Sequence, residues 1–118
     1  MDKNLYIISG CNGAGKTTAS YGYTVRLLFF WLNSPELALL RIAERVAKGG
    51  HNIPEPIVRR RYVAGICNLF QLFIPEVDYW DVFDNSHNPR VAVACGGKGV
   101  KPNIFDESRY KSIISYVK

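Results

Sequence analysis

The stretch Gly10-Cys11-Asn12-Gly13-Ala14-Gly15-Lys16-Thr17 restricts this chain more than any other, because it meets the pattern G-x-x-x-x-G-K-[ST] at every fixed position. That pattern works between a strand and a helix. Upstream, Leu5-Tyr6-Ile7-Ile8-Ser9 is an apolar, β-prone run of the length of a buried parallel strand, and downstream Lys16-Thr17-Thr18-Ala19-Ser20 can open a helix. A loop that wraps a di- or triphosphate must turn several backbone N–H groups inward at close approach, which side chains would obstruct; Gly10, Gly13 and Gly15 supply the freedom. The helix N-terminus adds a partial positive charge. In this reading Gly10, Asn12, Gly13, Ala14, Gly15, Lys16, Thr17 and Thr18 form the nucleotide cradle. Lys16 reaches the β- and γ-phosphates, the Thr17 hydroxyl ligates Mg²⁺, and Thr18 is the lesser candidate, toward the α-phosphate. The bland alternative is a glycine-rich turn that fits by chance, which the flanking strand and helix signals disfavour.

With 118 residues the chain is expected to form one domain, 1–118, at the small end for a nucleotide-binding α/β unit. An apolar content of 47% with 21% charged residues is that of an ordinary globular protein. No run approaches the ~20 apolar residues of a membrane span. Leu27 to Leu32 is cut short by Asn33, Ser34 and Pro35. The glycine loop also interrupts what could otherwise be a signal peptide, so the expected location is cytoplasmic, without a membrane partner. Cys11, Cys67 and Cys95 are widely spaced, have no C-x-x-C pair, and read as reduced thiols. The net charge of +5 suits either a phosphate site or nucleic acid. Positive charge gathers at Arg41, Arg45, Lys48 and Arg59-Arg60-Arg61, where no ladder of aromatics lies beside it, so nucleic acid is disfavoured as a partner.

Along the chain, Thr24 to Leu32 reads as a second buried strand. Ser34, Pro35 and Glu36 supply an N-cap, a first-turn proline and a first-turn acid for a helix running to Lys48, closed by Gly49-Gly50. Its expected core stripe is Leu39, Ile42, Ala43 and Val46, with Arg41 and Arg45 on another side. A second helix opens at Pro54-Glu55, carries the stripe Val58, Tyr62, Ile66, Leu69, Phe70 and Phe73, and stops before Pro75. Residues 35–73 thus read as a helical hairpin of lid type. Tyr79 to Phe83 and Arg90 to Ala94 are the third and fourth strands, Cys95-Gly96-Gly97-Lys98-Gly99 reads as a turn, and a last helix spans Glu107 to Val117 with Tyr110, Ile113, Ile114 and Val117 inward.

These stretches together resemble the zeta-toxin-like P-loop kinases, the group that includes UDP-N-acetylglucosamine kinases. The similarity covers Asn4 to Ser20 and Gly22 to about Ala94. Its most specific parts are Leu27-Leu28-Phe29-Phe30-Trp31-Leu32-Asn33-Ser34, Gly49-Gly50-His51-Asn52-Ile53-Pro54, Arg60-Arg61-Tyr62 and Phe83-Asp84-Asn85-Ser86. The resemblance implies transfer of the γ-phosphoryl group of ATP or GTP, with Mg²⁺, to a sugar-nucleotide hydroxyl. It puts Lys16 and Thr17 on the phosphates and the metal, and Arg45 with Arg60 or Arg61 as lid arginines at the transferring phosphoryl, with Arg41 as second choice. Each could equally be a solvated helix arginine. His51 could touch a phosphate, but a loop histidine bonded to nearby backbone is the favoured reading. Asp84 stands where a Mg²⁺-associated aspartate would, though Asp-Asn-Ser is also ordinary turn chemistry.

The chain departs from the family between the phosphate loop and Thr24, where relatives carry two further strands, a general base and acceptor-binding residues. Between Thr17 and Thr24 there is no carboxylate. The expected fold is therefore a small α/β, P-loop NTPase-like three-layer unit with an incomplete, mainly parallel sheet of about four strands. The short connection leaves two arrangements for the first two strands, parallel with a shrunken helix or antiparallel with the loop as a hairpin. Either bares an edge of the first strand, open to a homodimer. The functional expectation is nucleotide binding with ancestral phosphoryl transfer. The alternatives are a nucleotide-binding remnant or regulator without transfer activity and, last, a basic nucleic-acid-binding module.

Overall fold

The computed structural model describes residues 3–10 and 23–117. Its elements run β1 (Lys3–Gly10), β2 (Tyr23–Trp31), α1 (Pro35–Ala47), α2 (Glu55–Asn68), β3 (Tyr79–Asp84), β4 (Val91–Gly97), β5 (Val100–Ile104) and α3 (Glu107–Ile114). The motif residues from Cys11 to Thr18, with Lys16 and Thr17 among them, lie outside the described residues.

The strands form one five-stranded sheet in the order β1-β2-β3-β4-β5. β1, β2 and β3 are parallel, whereas β3, β4 and β5 are antiparallel neighbours. The sheet is therefore mixed and has a fifth strand, where about four mainly parallel ones were expected. The reason lies in residues 95–104. Gly96 and Gly97 read as turn formers, yet they complete β4: a Cβ on Gly96 would come within 2.6 Å of the Trp80 ring, so the absent side chain lets that indole pack. The turn itself is shorter and falls at Lys98-Gly99, with Gly99 at φ +69. β5, Val100 to Ile104, contains Pro102, which an edge strand tolerates because it needs hydrogen-bond donors on one side only.

Of the two arrangements open to β1 and β2, the parallel one is found, with Lys3 opposite Tyr23 and Gly10 opposite Phe30. β1 ends at Gly10 and β2 begins at Tyr23, so twelve residues separate them, the dozen that parallel crossovers need. β1 is the first strand in the sheet order and so occupies an edge.

One continuous core joins the sheet to the helices. Val25, Leu27, Phe29 and Trp31 of β2 are buried, as are Trp80 and Val82 of β3 and Val93 of β4. Against them lie Ala38 and Ile42 of α1, Val58, Tyr62 and Ile66 of α2, the Leu69–Phe73 π-helical turn that extends α2, and Ile113 of α3. α3 rests beside α2, with Tyr116 edge-on to Tyr62 at 5.1 Å and Tyr110 edge-on to Phe70 at 6.1 Å. The described residues thus build two layers, with α1, α2 and α3 sharing a single core on one sheet face, where three layers were expected.

The α2 stripe is buried as its spacing predicts, with Phe70 partly so. On α1 the stripe is rotated: Ala38 and Ile42 are buried, Leu37 and Leu39 partly so, and Ala43 and Val46 are exposed. Ile114 is likewise exposed while Ile113 is fully buried. Helical spacing fixes which residues share a stripe, but the angle at which a helix meets the sheet decides which edge of it is covered.

Candidate functional site

β1, β2 and β3 point their C-terminal ends to the same side, so the chain segments that leave them converge there. Among the described residues these are Gly10, Leu32-Asn33-Ser34 and Asp84-Asn85-Ser86. In open α/β sheets this is the side on which ligands bind. Gly10 is tightly placed, since a Cβ there would stand 3.3 Å from the carbonyl oxygen of Phe30.

The two loops after β2 and β3 are tied together. The Asn85 N–H donates to the Trp31 carbonyl at 2.7 Å, and the Asn33 N–H donates to the Ser86 hydroxyl at 2.9 Å. Both the Ser86 hydroxyl and its N–H donate to Oδ1 of Asp84. The other oxygen, Oδ2, accepts from Nε of Arg109 at 2.7 Å, and Arg109 also reaches Asp106, the N-cap of its own helix. Asp84 is only 2% exposed. Burial pushes its carboxyl up, but the Ser86 hydroxyl, the Arg109 guanidinium and the Ser86 N–H outweigh that and hold it below the usual carboxylate range. Asp106 is lowered too, first by the Arg109 N–H and then by the Arg109 side chain.

Asp84 is therefore a bracing residue at the mouth of the sheet. Its oxygens already serve three donors, and a metal ion there would have to displace Arg109. Among the described residues no group of three His, Cys, Asp or Glu side chains could hold a metal.

The helix arginines divide into two sets. Arg41 is half-buried and aims a terminal nitrogen at the carbonyls of Asn85 and Ser86, at 3.5 and 3.3 Å. Arg59 bridges Glu36 and Glu55 at 3.0 and 3.1 Å, which pins the opening of α2 beside the first turn of α1. Arg45, Arg60 and Arg61 are exposed and make no ion pair among the described residues. The fold thus brings Arg41 to the C-terminal end of the strands, and leaves Arg45 and Arg60 on the outer surface of the helix pair. His51 is exposed in the loop between α1 and α2. Arg109 was missed in the sequence, because its role depends on Asp84, which the chain reaches only by folding β4 and β5 back along β3.

The caps of this region match their sequence signals. Ser34 Oγ accepts the Leu37 N–H at 3.1 Å and starts α1 directly at the end of β2. Gly49, at φ +99, and Gly50 close α1 by donating to the Val46 and Arg45 carbonyls at 3.0 and 2.8 Å. Tyr62 donates its hydroxyl to the Leu32 carbonyl at 2.6 Å, which ties α2 to the same loop.

Comparison with known proteins adds one relative. The chain is 45% identical over 47 residues to a protein of Haemophilus influenzae (strain ATCC 51907 / DSM 11121 / KW20 / Rd) described as uncharacterized. The match takes in 40% of this chain and 34% of that protein, so it spans about a third of the relative's length. No family model and no solved structure matches the chain. No described helix is long and apolar enough to cross a membrane.

Proposed function

We propose that this chain binds ATP or GTP as the Mg²⁺ complex, through the loop from Gly10 to Thr18, in the manner of the zeta-toxin-like kinases that its sequence resembles. The observation that supports this reading is the placement of Gly10. A G-x-x-x-x-G-K-T motif begins there, at the C-terminal end of a parallel strand, beside the braced Asn33 and Asp84-Ser86 loops. Lys16 supplies the charge at the β- and γ-phosphates and Thr17 the hydroxyl for the metal. The bound ion would neutralise phosphate charge. Arg41 is the helix arginine best placed to approach the nucleotide, with Arg45 and Arg60 able to do so only if the helix hairpin shifts toward the loop.

Transfer to a sugar-nucleotide hydroxyl is the ancestral activity in this reading. A nucleotide-binding remnant without transfer is the second reading. It is favoured by the absence of any carboxylate between Thr17 and Thr24 and by the engagement of Asp84 with Arg109. Titration calorimetry with Mg-ATP separates binding from its absence. The intact chain should bind, and Lys16→Ala should weaken binding at least tenfold, a loss of about 1.4 kcal/mol or more. Equal affinity in the two proteins would sink the nucleotide reading. Release of labelled phosphate onto UDP-N-acetylglucosamine then decides between kinase and remnant.

A further inference from the structure

α1, α2 and α3 share one core on one face of the sheet, and the opposite face carries a second chemistry. Strand register assembles it in rows. Tyr6, Arg26 and Tyr79 stand opposite one another on β1, β2 and β3, and Gly10, Phe30 and Phe83 form a parallel row four residues further along. Side chains alternate between faces along a strand, so both rows lie on the side away from Leu27, Phe29 and Val82. Leu28, Phe30 and Phe83 take no part in the helix-covered core.

An arginine stands over the aromatic rings of each row. The Arg26 guanidinium lies 4.5 Å from the centre of the Tyr79 ring. Arg90 lies 5.5 and 5.3 Å from Phe30 and Phe83, whose own rings are stacked at 5.6 Å. Neither arginine forms an ion pair among the described residues, whereas Arg59 and Arg109 do. Tyr6 is 57% exposed and Tyr79 43%. Small residues lie next along the sheet, Gly97 opposite Tyr79 and Ala92 opposite Phe83, which keeps the surface low. Lys98 and Lys101 are exposed on the adjoining hairpin. Asp81, between the rows on β3, is half-buried and opposes this positive charge.

We propose that this sheet face binds single-stranded nucleic acid, with bases stacking on the exposed Tyr6 and Tyr79 rings and phosphates meeting Arg26 and Arg90. Charge complementarity selects the occupant: cations with no ion pair among the described residues and a net charge of +5 suit a polyanion. The exposed rings then suit a polyanion that carries planar groups. Sheets with surface aromatics bind single strands by this combination, and arginine planes stack on bases as well. The sequence hides this surface, since its basic cluster is on the helices and the rings that matter come from distant strands.

Fluorescence anisotropy with a labelled short oligothymidylate and oligouridylate tests it. The intact chain should bind with an affinity that falls steeply between about 50 and 200 mM salt. Arg26→Gln combined with Arg90→Gln should weaken binding at least tenfold and make the salt slope shallower by about 1.4, at about 0.7 per single-strand phosphate contact. Tyr79→Leu keeps apolar bulk without a ring and should weaken binding at constant salt slope. Asp81→Asn should strengthen binding, and Lys16→Ala should leave it unchanged, which keeps this test apart from that of the nucleotide loop. Unaltered circular dichroism verifies that each variant folds. No binding by the intact chain, equal binding by the double variant, or loss of binding only when Arg45, Arg60 and Arg61 are replaced would each overturn the proposal.

Discussion

Phe29 and Phe30 are neighbours in the sequence and opposites in the fold. Phe29 is fully buried between the sheet and the helices, while Phe30 is half-buried on the other face under Arg90. The same contrast runs the length of β2, where Val25, Leu27, Phe29 and Trp31 alternate with Arg26, Leu28 and Phe30. One face is closed by side chains drawn from every described helix. The other is finished by cations lying on rings. A strand of continuous apolar and aromatic residues is ordinarily covered on both sides. Here the described residues cover one side fully and leave Tyr6 and Tyr79 exposed on the other.

The largest effect should separate the two phenylalanines. Phe29→Ala removes a ring from a packed core and should cost about 3 to 5 kcal/mol. Phe30→Ala loses the stack on Phe83 and partial burial, and should cost about 1 to 2 kcal/mol. Urea denaturation of both variants measures the difference, and equal losses would mean that the second face is as tightly packed as the first.

Next in size is Asp84, the buried carboxylate at the mouth of the sheet. Asp84→Asn removes the charge that holds Arg109 and should cost about 2 kcal/mol near neutral pH, since Arg109 keeps Asp106 and part of its solvation. Because the folded carboxyl lies below its unfolded value, its stabilisation is complete above the unfolded pKa of about 3.9 and fades as pH falls through the lower folded one. The intact chain should therefore lose stability more steeply than the variant below about pH 4. Parallel acid curves would place the shift elsewhere.

The smallest effect is expected on the open face. Arg26→Gln removes one partly exposed stacking contact and should change stability by no more than about 1 kcal/mol. A thermal melt that fell by much more would show Arg26 to be a structural clamp and not a surface free to bind.

Much of the local structure was legible before any tertiary information. Ser34-Pro35-Glu36 and Gly49-Gly50 state where α1 begins and ends, because caps are satisfied by residues within a turn of the terminus. The α2 stripe from Val58 to Phe73 was readable for the same reason, as was the apolar character of β2. The G-x-x-x-x-G-K-T pattern is also a local signal, and the strand expected before it is found. Features that depend on a distant partner were not legible. Gly96 looks like a turn until Trp80 occupies the space above it, and Val100 to Ile104 becomes a strand by pairing with β4. Arg109 has no visible purpose until it meets Asp84.

Residue order alone determined the periodicities, the caps and a G-x-x-x-x-G-K-T pattern immediately after an apolar strand, since each is written within a few adjacent positions. Folding decided the rest: a parallel β1–β2 pair, helices gathered over a single face, Asp84 neutralised by Arg109, and Arg26 brought over Tyr79. Those outcomes depend on contacts between segments far apart in the chain. Hydrogen-bond geometry and close packing select them only once the whole sheet exists.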